Sequence, residues 1–268
     1  MEKQLNAIIL AAGEGKRLRP LTDSIPKCMV QLFGKSLLQR QIDIFRKCGI
    51  EDISIVTGYC KDSIKIPNIT YFVNDRFETT NMVETLFCAE KKLSNSTIIS
   101  YGDIIFETKV LEKLIRSKND FSVIVDQNWK KYWSMRFESP LDDAESLIMN
   151  SELFLEDIGQ KVNDEKNIQA QYIGLMKFQG SAINFIKKFY NNAKKISMVN
   201  GNILNFELPF EKSYMTDFIR GMIKNGCEIK AIPINGGWLE LDSITDYNLY
   251  KRLELGNRLN DLIELEDG

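Results

Sequence analysis

Histidine is missing from all 268 residues of the chain. Without it there can be no Ser-His-Asp triad, no histidine general base and no His-ligated zinc. Cysteine is sparse: Cys28, Cys48, Cys60, Cys88 and Cys227 are scattered, odd in number and contain no C-x-x-C. That pattern predicts reduced thiols and a cytoplasmic protein rather than a disulfide framework. Long hydrophobic runs are missing too. The longest early one, Ala7 to Ala12, is too short for a signal segment or a membrane span, so a soluble chain with no membrane partner is expected. Neither sign of charge is in excess, with 35 basic against 37 acidic residues. A general nucleic-acid binder would carry a basic surplus, so no nucleic-acid partner is expected.

What is present is a chain 44% hydrophobic, enough to bury the core of one large domain. Short apolar runs alternate with helical periodicity. Leu5–Leu10, Ile53–Thr57, Ile69–Val73, Thr97–Ser100 and Phe121–Val125 read as strands. Ser36–Cys48, Met82–Leu93 and Lys109–Arg116 read as helices between them. The pattern weakens from Trp129 to Lys161. It returns with a strand at Gln171–Phe178, a helix at Ala182–Ala193, an excursion over Ser197–Lys212, and helix, strand, strand over Tyr214–Asn225, Glu228–Ile234 and Trp238–Leu241. A charged helix from Thr245 closes the chain. This predicts a single α/β domain over 1–268, a Rossmann-like, mostly parallel sheet flanked by helices, with an acceptor-binding portion around 127–212.

The informative segment follows the first strand: Leu10-Ala11-Ala12-Gly13-Glu14-Gly15-Lys16-Arg17-Leu18-Arg19-Pro20, continuing to Pro26-Lys27. Gly13 and Gly15 let the backbone approach a ligand, and Lys16, Arg17, Arg19 and Lys27 bring four cations to one loop, which suits a polyphosphate. A Walker A loop is excluded, because Leu10 stands where its first glycine belongs and Arg17 follows Lys16. A dinucleotide fingerprint is excluded by Leu18.

The string resembles the signature of nucleotidyltransferases acting on sugar phosphates and phosphocholine, L-A-A-G-x-G-x-R-L-x-P-x-T…P-K, matched at every position including Thr22. The blocks Thr80-Asn81-Met82, Ser100–Asp103, Trp133–Glu138, Pro140–Glu145, Gln171–Met176 and Gly237–Glu240 look like the phosphocholine cytidylyltransferase-like branch, which includes a phosphoglutamine cytidylyltransferase. The resemblance implies transfer of CMP from CTP to a small phosphorylated acceptor of the phosphoglutamine or phosphocholine type. In it Leu10–Gly13, Gly15, Asn81 and Gly102 would bind the nucleotide, Arg17 and Lys27 its phosphates, and Lys161 the acceptor phosphate. Asp103 and Asp242 would hold Mg2+, with Glu240 as a neighbour.

Taken residue by residue, plainer readings stand beside these. A strand-end aspartate is often a cap, Lys161 could be an exposed turn lysine, and Asn81 serves equally as a helix cap or a base reader. For the acceptor, Trp133, Arg136, Asp143, Glu145, Tyr172 and Trp238 are the candidates. Trp129, Tyr132, Trp133 and Trp238 could cage a quaternary ammonium. Alternatively Arg136 could take a carboxylate while Asp143 or Glu145 takes an ammonium, and Arg136 tilts the expectation that way. Three other readings stay open: a sugar-1-phosphate enzyme using another nucleotide, a catalytically silent regulatory domain, and a plain nucleotide-binding module. The oligomeric state stays open as well.

Overall fold

Strand β1 (Leu5–Ala11) is apolar almost throughout because both of its faces are covered. Successive side chains on a strand point to opposite sides. Ala7, Ile9 and Ala11 therefore enter one core layer, and Ile8 and Leu10 the other. The computed structural model describes residues 5–265.

Along the chain, β2 (Gln31–Leu32) and β3 (Lys35–Ser36) form a small hairpin ahead of α1 (Leu37–Lys47). The hydroxyl of Ser36 accepts from Gln39 N (3.1 Å) and starts the helix, which lays Leu38, Ile42 and Phe45 against the sheet. Next come β4 (Asp52–Thr57), β5 (Thr70–Val73), α2 (Met82–Cys88), β6 (Ser96–Tyr101), β7 (Ile104–Phe106), α3 (Thr108–Arg116) and β8 (Phe121–Asp126). The weakly patterned stretch resolves into α4 (Trp129–Arg136) and an antiparallel pair, β9 (Glu145–Met149) and β10 (Leu155–Lys161). Then follow β11 (Gln171–Gln179), α5 (Ser181–Asn200), α6 (Met215–Lys224), β12 (Lys230–Ile234), β13 (Trp238–Glu240) and α7 (Ile244–Leu255).

The main sheet has seven strands in the order β12-β8-β11-β6-β1-β4-β5. Only β11 runs antiparallel to its neighbours, β6 and β8. Helices α1, α3, α4 and α7 contribute to the core on one face, and α2, α5 and α6 to that on the other. The expected mostly parallel sheet flanked by helices is what the chain forms.

Two element boundaries differ from the sequence reading. The helix expected over Met82–Leu93 ends at Cys88, where Ala89 N turns to Leu86 O (3.0 Å) and a 3-10 turn covers Glu90–Lys92. Conversely, α5 runs on to Asn200, into the segment expected to be an excursion, because no helix breaker occurs before Gly201 (φ +78°).

Candidate active site

Three chain segments meet beyond the carboxyl ends of the central strands, where open α/β sheets place their ligands. The loop after β1 supplies Gly13 to Lys27. The turn after β6 supplies Gly102 and Asp103, and the residues after β13 supply Asp242. Leu241 N donates to Asp103 O (2.9 Å) and so holds the two aspartates side by side.

Gly102 is needed for this closeness. Its N–H donates to Leu10 O (2.9 Å), and a Cβ there would lie 2.7 Å from that oxygen and 3.1 Å from Ala11 Cα. Both obstacles are backbone and cannot swing aside. Gly102→Ala is expected to cost ~1–3 kcal/mol of stability through overpacking and to raise the nucleotide KM. Thermal unfolding and steady-state kinetics would show this, and a variant unchanged in both would refute it.

The loop after β1 folds back on itself. Gly15 adopts φ +72°, and its carbonyl accepts from Leu18 N (2.9 Å) and from the hydroxyl of the buried Thr22 (2.8 Å). The signature threonine thereby acquires a physical role, closing the turn that carries Lys16 and Arg17.

Lys27 lies at the centre. Its Nζ donates to Asp103 Oδ2 (2.7 Å) and Asp242 Oδ1 (2.6 Å), while Arg17 pairs with the other oxygen of Asp242. Burial works against the Lys27 ammonium, but the charges of Asp103, Asp242 and Glu240 outweigh it and raise the pKa above the ordinary lysine value. Burial likewise opposes ionisation of Asp242, and Lys27 and Arg17 overcome that and lower its pKa. Glu240 is pushed up to about 7 by burial, with Arg136 pulling it down and Asp103 and Asp242 pushing it further up.

The remaining oxygen of Asp103, Oδ1, is buried and has no hydrogen-bond partner among the described residues. A buried carboxylate oxygen left bare is costly unless something cationic meets it. Among the described residues no group of three or more His, Cys, Asp and Glu side chains could enclose a metal unaided. Magnesium needs no such cage, since it is often held by one or two carboxylates together with substrate phosphates and waters. Asp103 and Asp242 fit that donor set.

The cleft has two arms that share Gly13, Lys27, Met82, Tyr101 and Asp103. The smaller, about 130 Å³, is bordered by Leu10, Ala11, Ala12, Asn81 and Gly102. The larger, about 500 Å³, takes in Gly15, Arg17, Asp242, Trp133, Asp143, Glu145, Tyr172 and Trp238. Most of the residues singled out from sequence are thus brought to one connected space.

Two of them, Arg136 and Lys161, are placed otherwise than expected, and Asn81 meets both of its readings. Arg136 is not a wall of the cleft. Its side chain is 1% exposed and is held by Asp246 Oδ1 from Nε (2.9 Å) and by Glu240 Oε2 from Nη1 (2.7 Å). A buried guanidinium demands such partners, and they hold it behind the cleft, away from a substrate carboxylate. Lys161 ends β10 opposite Glu145, with an exposed side chain that does not border the cleft. Asn81 borders the small arm, but its carbonyl accepts from Met82 N (2.8 Å) and caps α2, while its amide donates to Lys212 O (3.3 Å).

The cleft also contains residues to which the sequence reading gave no role, among them Met82, Tyr101, Gln171 and Thr216. Gln171 donates to Glu145 O (2.6 Å) and accepts from Glu145 N (3.1 Å), a two-way clamp on the backbone of that acid. A lone glutamine in a strand carries no sequence signal for such a role.

The model of the MobA-like NTP transferase domain matches residues 7–154. The chain belongs to this family. It is 39% identical over 253 residues to the CTP:phosphoglutamine cytidylyltransferase of Campylobacter jejuni, covering 90% of this chain and 97% of that protein. The structure of the CTP:phosphocholine cytidylyltransferase from Streptococcus pneumoniae superposes with a TM-score of 0.71 at 22% identity, over 94% of this chain and 99% of the other. An inositol-1-phosphate CTP transferase from T. maritima gives 0.72 at 20% identity, over 99% of both. At these identities the two structures speak for the fold alone. No helix among the described residues is long and apolar enough to cross a membrane.

Proposed function

We propose that this member of the family is a magnesium-dependent cytidylyltransferase that moves CMP from CTP to a small phosphorylated acceptor and releases pyrophosphate. The observation that carries the reaction type is the junction of the two arms at Lys27 and Asp103. One arm takes the nucleoside, the other the acceptor, and the phosphates meet where the charges lie. The choice of CTP is supported by the Campylobacter relative.

An acceptor phosphate oxygen bonds to the α-phosphorus in line as the bond from that phosphorus to the pyrophosphate oxygen breaks. No general base is required, because a phosphate dianion is already the nucleophile, which suits a chain without histidine. The barrier is the repulsion between two anions, so electrostatic stabilisation is the main demand on the site. Arg17 and Lys27 meet the donor phosphates, exchanging their partner Asp242 for phosphate oxygens. Asp103 and Asp242 are then the carboxylates that hold magnesium, which when bound supplies charge neutralisation of the triphosphate. Lys161, which ends β10 opposite Glu145 but does not border the acceptor arm, has no role in this step.

The test is pyrophosphate release with each of the four nucleoside triphosphates against a panel of phosphorylated acceptors, with and without a chelator. CTP should exceed the other three, and the chelator should abolish turnover. Release with a different nucleotide and a sugar 1-phosphate would favour the rival acceptor class; no release with any pair would refute the reading.

A further inference from the structure

The smaller arm, assigned above to the nucleoside, has one wall built from the chain that follows β5. Phe77, Thr80 and Asn81 border the arm from that loop, and Met82 and Thr85 from α2. The loop starts at Asn74, whose N–H donates to Thr57 O (2.8 Å) and so ties it to the end of β4. Asn74 is 3% exposed and borders neither arm. All of its remaining polar groups are nonetheless engaged. Its Nδ2 donates to Thr80 Oγ1 (2.9 Å) and to Thr85 Oγ1 (3.0 Å). Its Oδ1 accepts from Arg76 N (3.1 Å), and its carbonyl accepts from Phe77 N (3.2 Å).

The neighbours of that amide dictate which way it faces. The Thr80 hydroxyl donates its one hydrogen to Arg76 O (2.9 Å), and the Thr85 hydroxyl donates its own to Asn81 O (3.0 Å). Each hydroxyl can then only accept from Asn74, and Arg76 N can only donate to it. Position 74 therefore requires two N–H donors and one acceptor on a single planar group, which an amide has and a carboxylate lacks. The two hydroxyls belong to different elements, one to the loop and one to α2, and each passes the constraint on to a backbone carbonyl. One buried side chain thus sets the spacing between the two parts of the wall. The ties from outside are fewer. Asn81 N donates to Glu211 O (2.8 Å), and Arg76, its side chain 60% exposed, pairs with Glu84 at 2.7 Å, where solvent weakens the bond.

We propose that Asn74 is a positioning residue for nucleotide selection: acting through Thr80 and Thr85, it fixes the wall of the smaller arm closely enough to tell cytosine from uracil. This rests on the cytidylyltransferase reading above and specifies how that site holds its nucleotide. The two pyrimidines share a ring and differ at its edge, where a donor and an acceptor must stand about 2.7–3.2 Å apart to bond. A wall free to shift by about 0.5 Å loses that distinction while still admitting either ring. The phosphates and the reacting centre are held by other segments, the loop after β1 and the two aspartates. Turnover of the bound complex should therefore not depend on Asn74.

The experiment compares Asn74→Ala, Thr80→Val and Thr80→Ser with the wild type, by calorimetric titration of CTP and UTP with magnesium and by pyrophosphate release. Asn74→Ala should weaken CTP binding and raise its KM about tenfold, as expected for losing a buried hydrogen-bond anchor. It should narrow the preference for CTP over UTP, and leave kcat and the acceptor KM within about twofold. Thr80→Val removes the hydroxyl that Asn74 holds and should do the same, whereas Thr80→Ser keeps it and should behave as the wild type. The double variant with Ala at 74 and Val at 80 should be no worse than either single one, since both break the same contact. If thermal unfolding shows that Asn74→Ala does not fold, the two Thr80 variants carry the test. Unchanged CTP affinity, a loss spread equally over kcat and both KM values, additive effects in the double variant, or equal affinity of the wild type for CTP and UTP would each overturn the inference. Selective CTP binding without pyrophosphate release from any pair would overturn the transfer reaction and leave the role of Asn74 standing. A wild-type protein that binds no nucleotide would overturn both.

Discussion

Asp103→Asn is expected to lower kcat for CTP by about 10²–10³-fold, the size typical of removing one preorganised electrostatic contact from a transition state. The substitution keeps shape and volume, and the asparagine carbonyl can still accept from Lys27, so the fold should persist. What disappears is one negative charge and the bare oxygen Oδ1. That oxygen is the argument for a cation here: Oδ2 is satisfied by Lys27 at 2.7 Å, whereas Oδ1 is buried without a partner among the described residues. Steady-state pyrophosphate release and thermal unfolding measured on the same preparation would check the prediction. A near-normal kcat would remove Asp103 from the catalytic site, and a large loss of stability would mean that the activity had been lost for the wrong reason.

Arg136→Ala should destabilise the protein by ~3–5 kcal/mol, the cost of breaking a buried ion pair from one side. Its guanidinium reaches both oxygens of Asp246, from Nε at 2.9 Å and from Nη2 at 3.2 Å, and reaches Glu240 at 2.7 Å. Asp246 in turn accepts from Asp242 N (3.0 Å) and Ser243 N (2.9 Å), and caps α7 with Ser243. The loss therefore spreads to the position of Asp242. In contrast to the removal of a substrate-binding arginine, the Arg136 substitution should lower kcat by the same factor for acidic, neutral and cationic acceptors. Arg136→Lys should recover only part of the stability, since an ammonium cannot reproduce the two-pronged contact with Asp246. Denaturant unfolding and kcat/KM across the acceptor panel separate the two roles. A loss confined to acidic acceptors would return Arg136 to the pocket.

The strands and helices of the first half were legible because their periodicities are local. β1, β4, β6 and β8 are buried on both faces and read as short runs rich in apolar and β-branched residues, and α1 shows its apolar stripe and its Ser36 cap in sequence. Boundaries slipped where a few backbone hydrogen bonds decide between similar states, at Ala89 and at the end of α5. The stretch from Trp129 to Lys161 was poorly legible for another reason. Its short α4 buries aromatic and charged residues together, so neither helical nor alternating apolar spacing stands out.

The sequence by itself determined the donor end of the site. Leu10 to Lys27 is one continuous stretch in which glycine, threonine and proline shape a loop that brings its cations together, and short-range geometry is enough to see it. Only the tertiary structure decided the acceptor end. Arg136 finds Asp246 110 residues away and Glu240 104 residues away. Those partners, rather than its residue type, withdraw it from the cleft that Asp143 and Glu145 border. A buried charge takes whichever partner the fold brings closest, and nothing in the local sequence of either residue states which that will be.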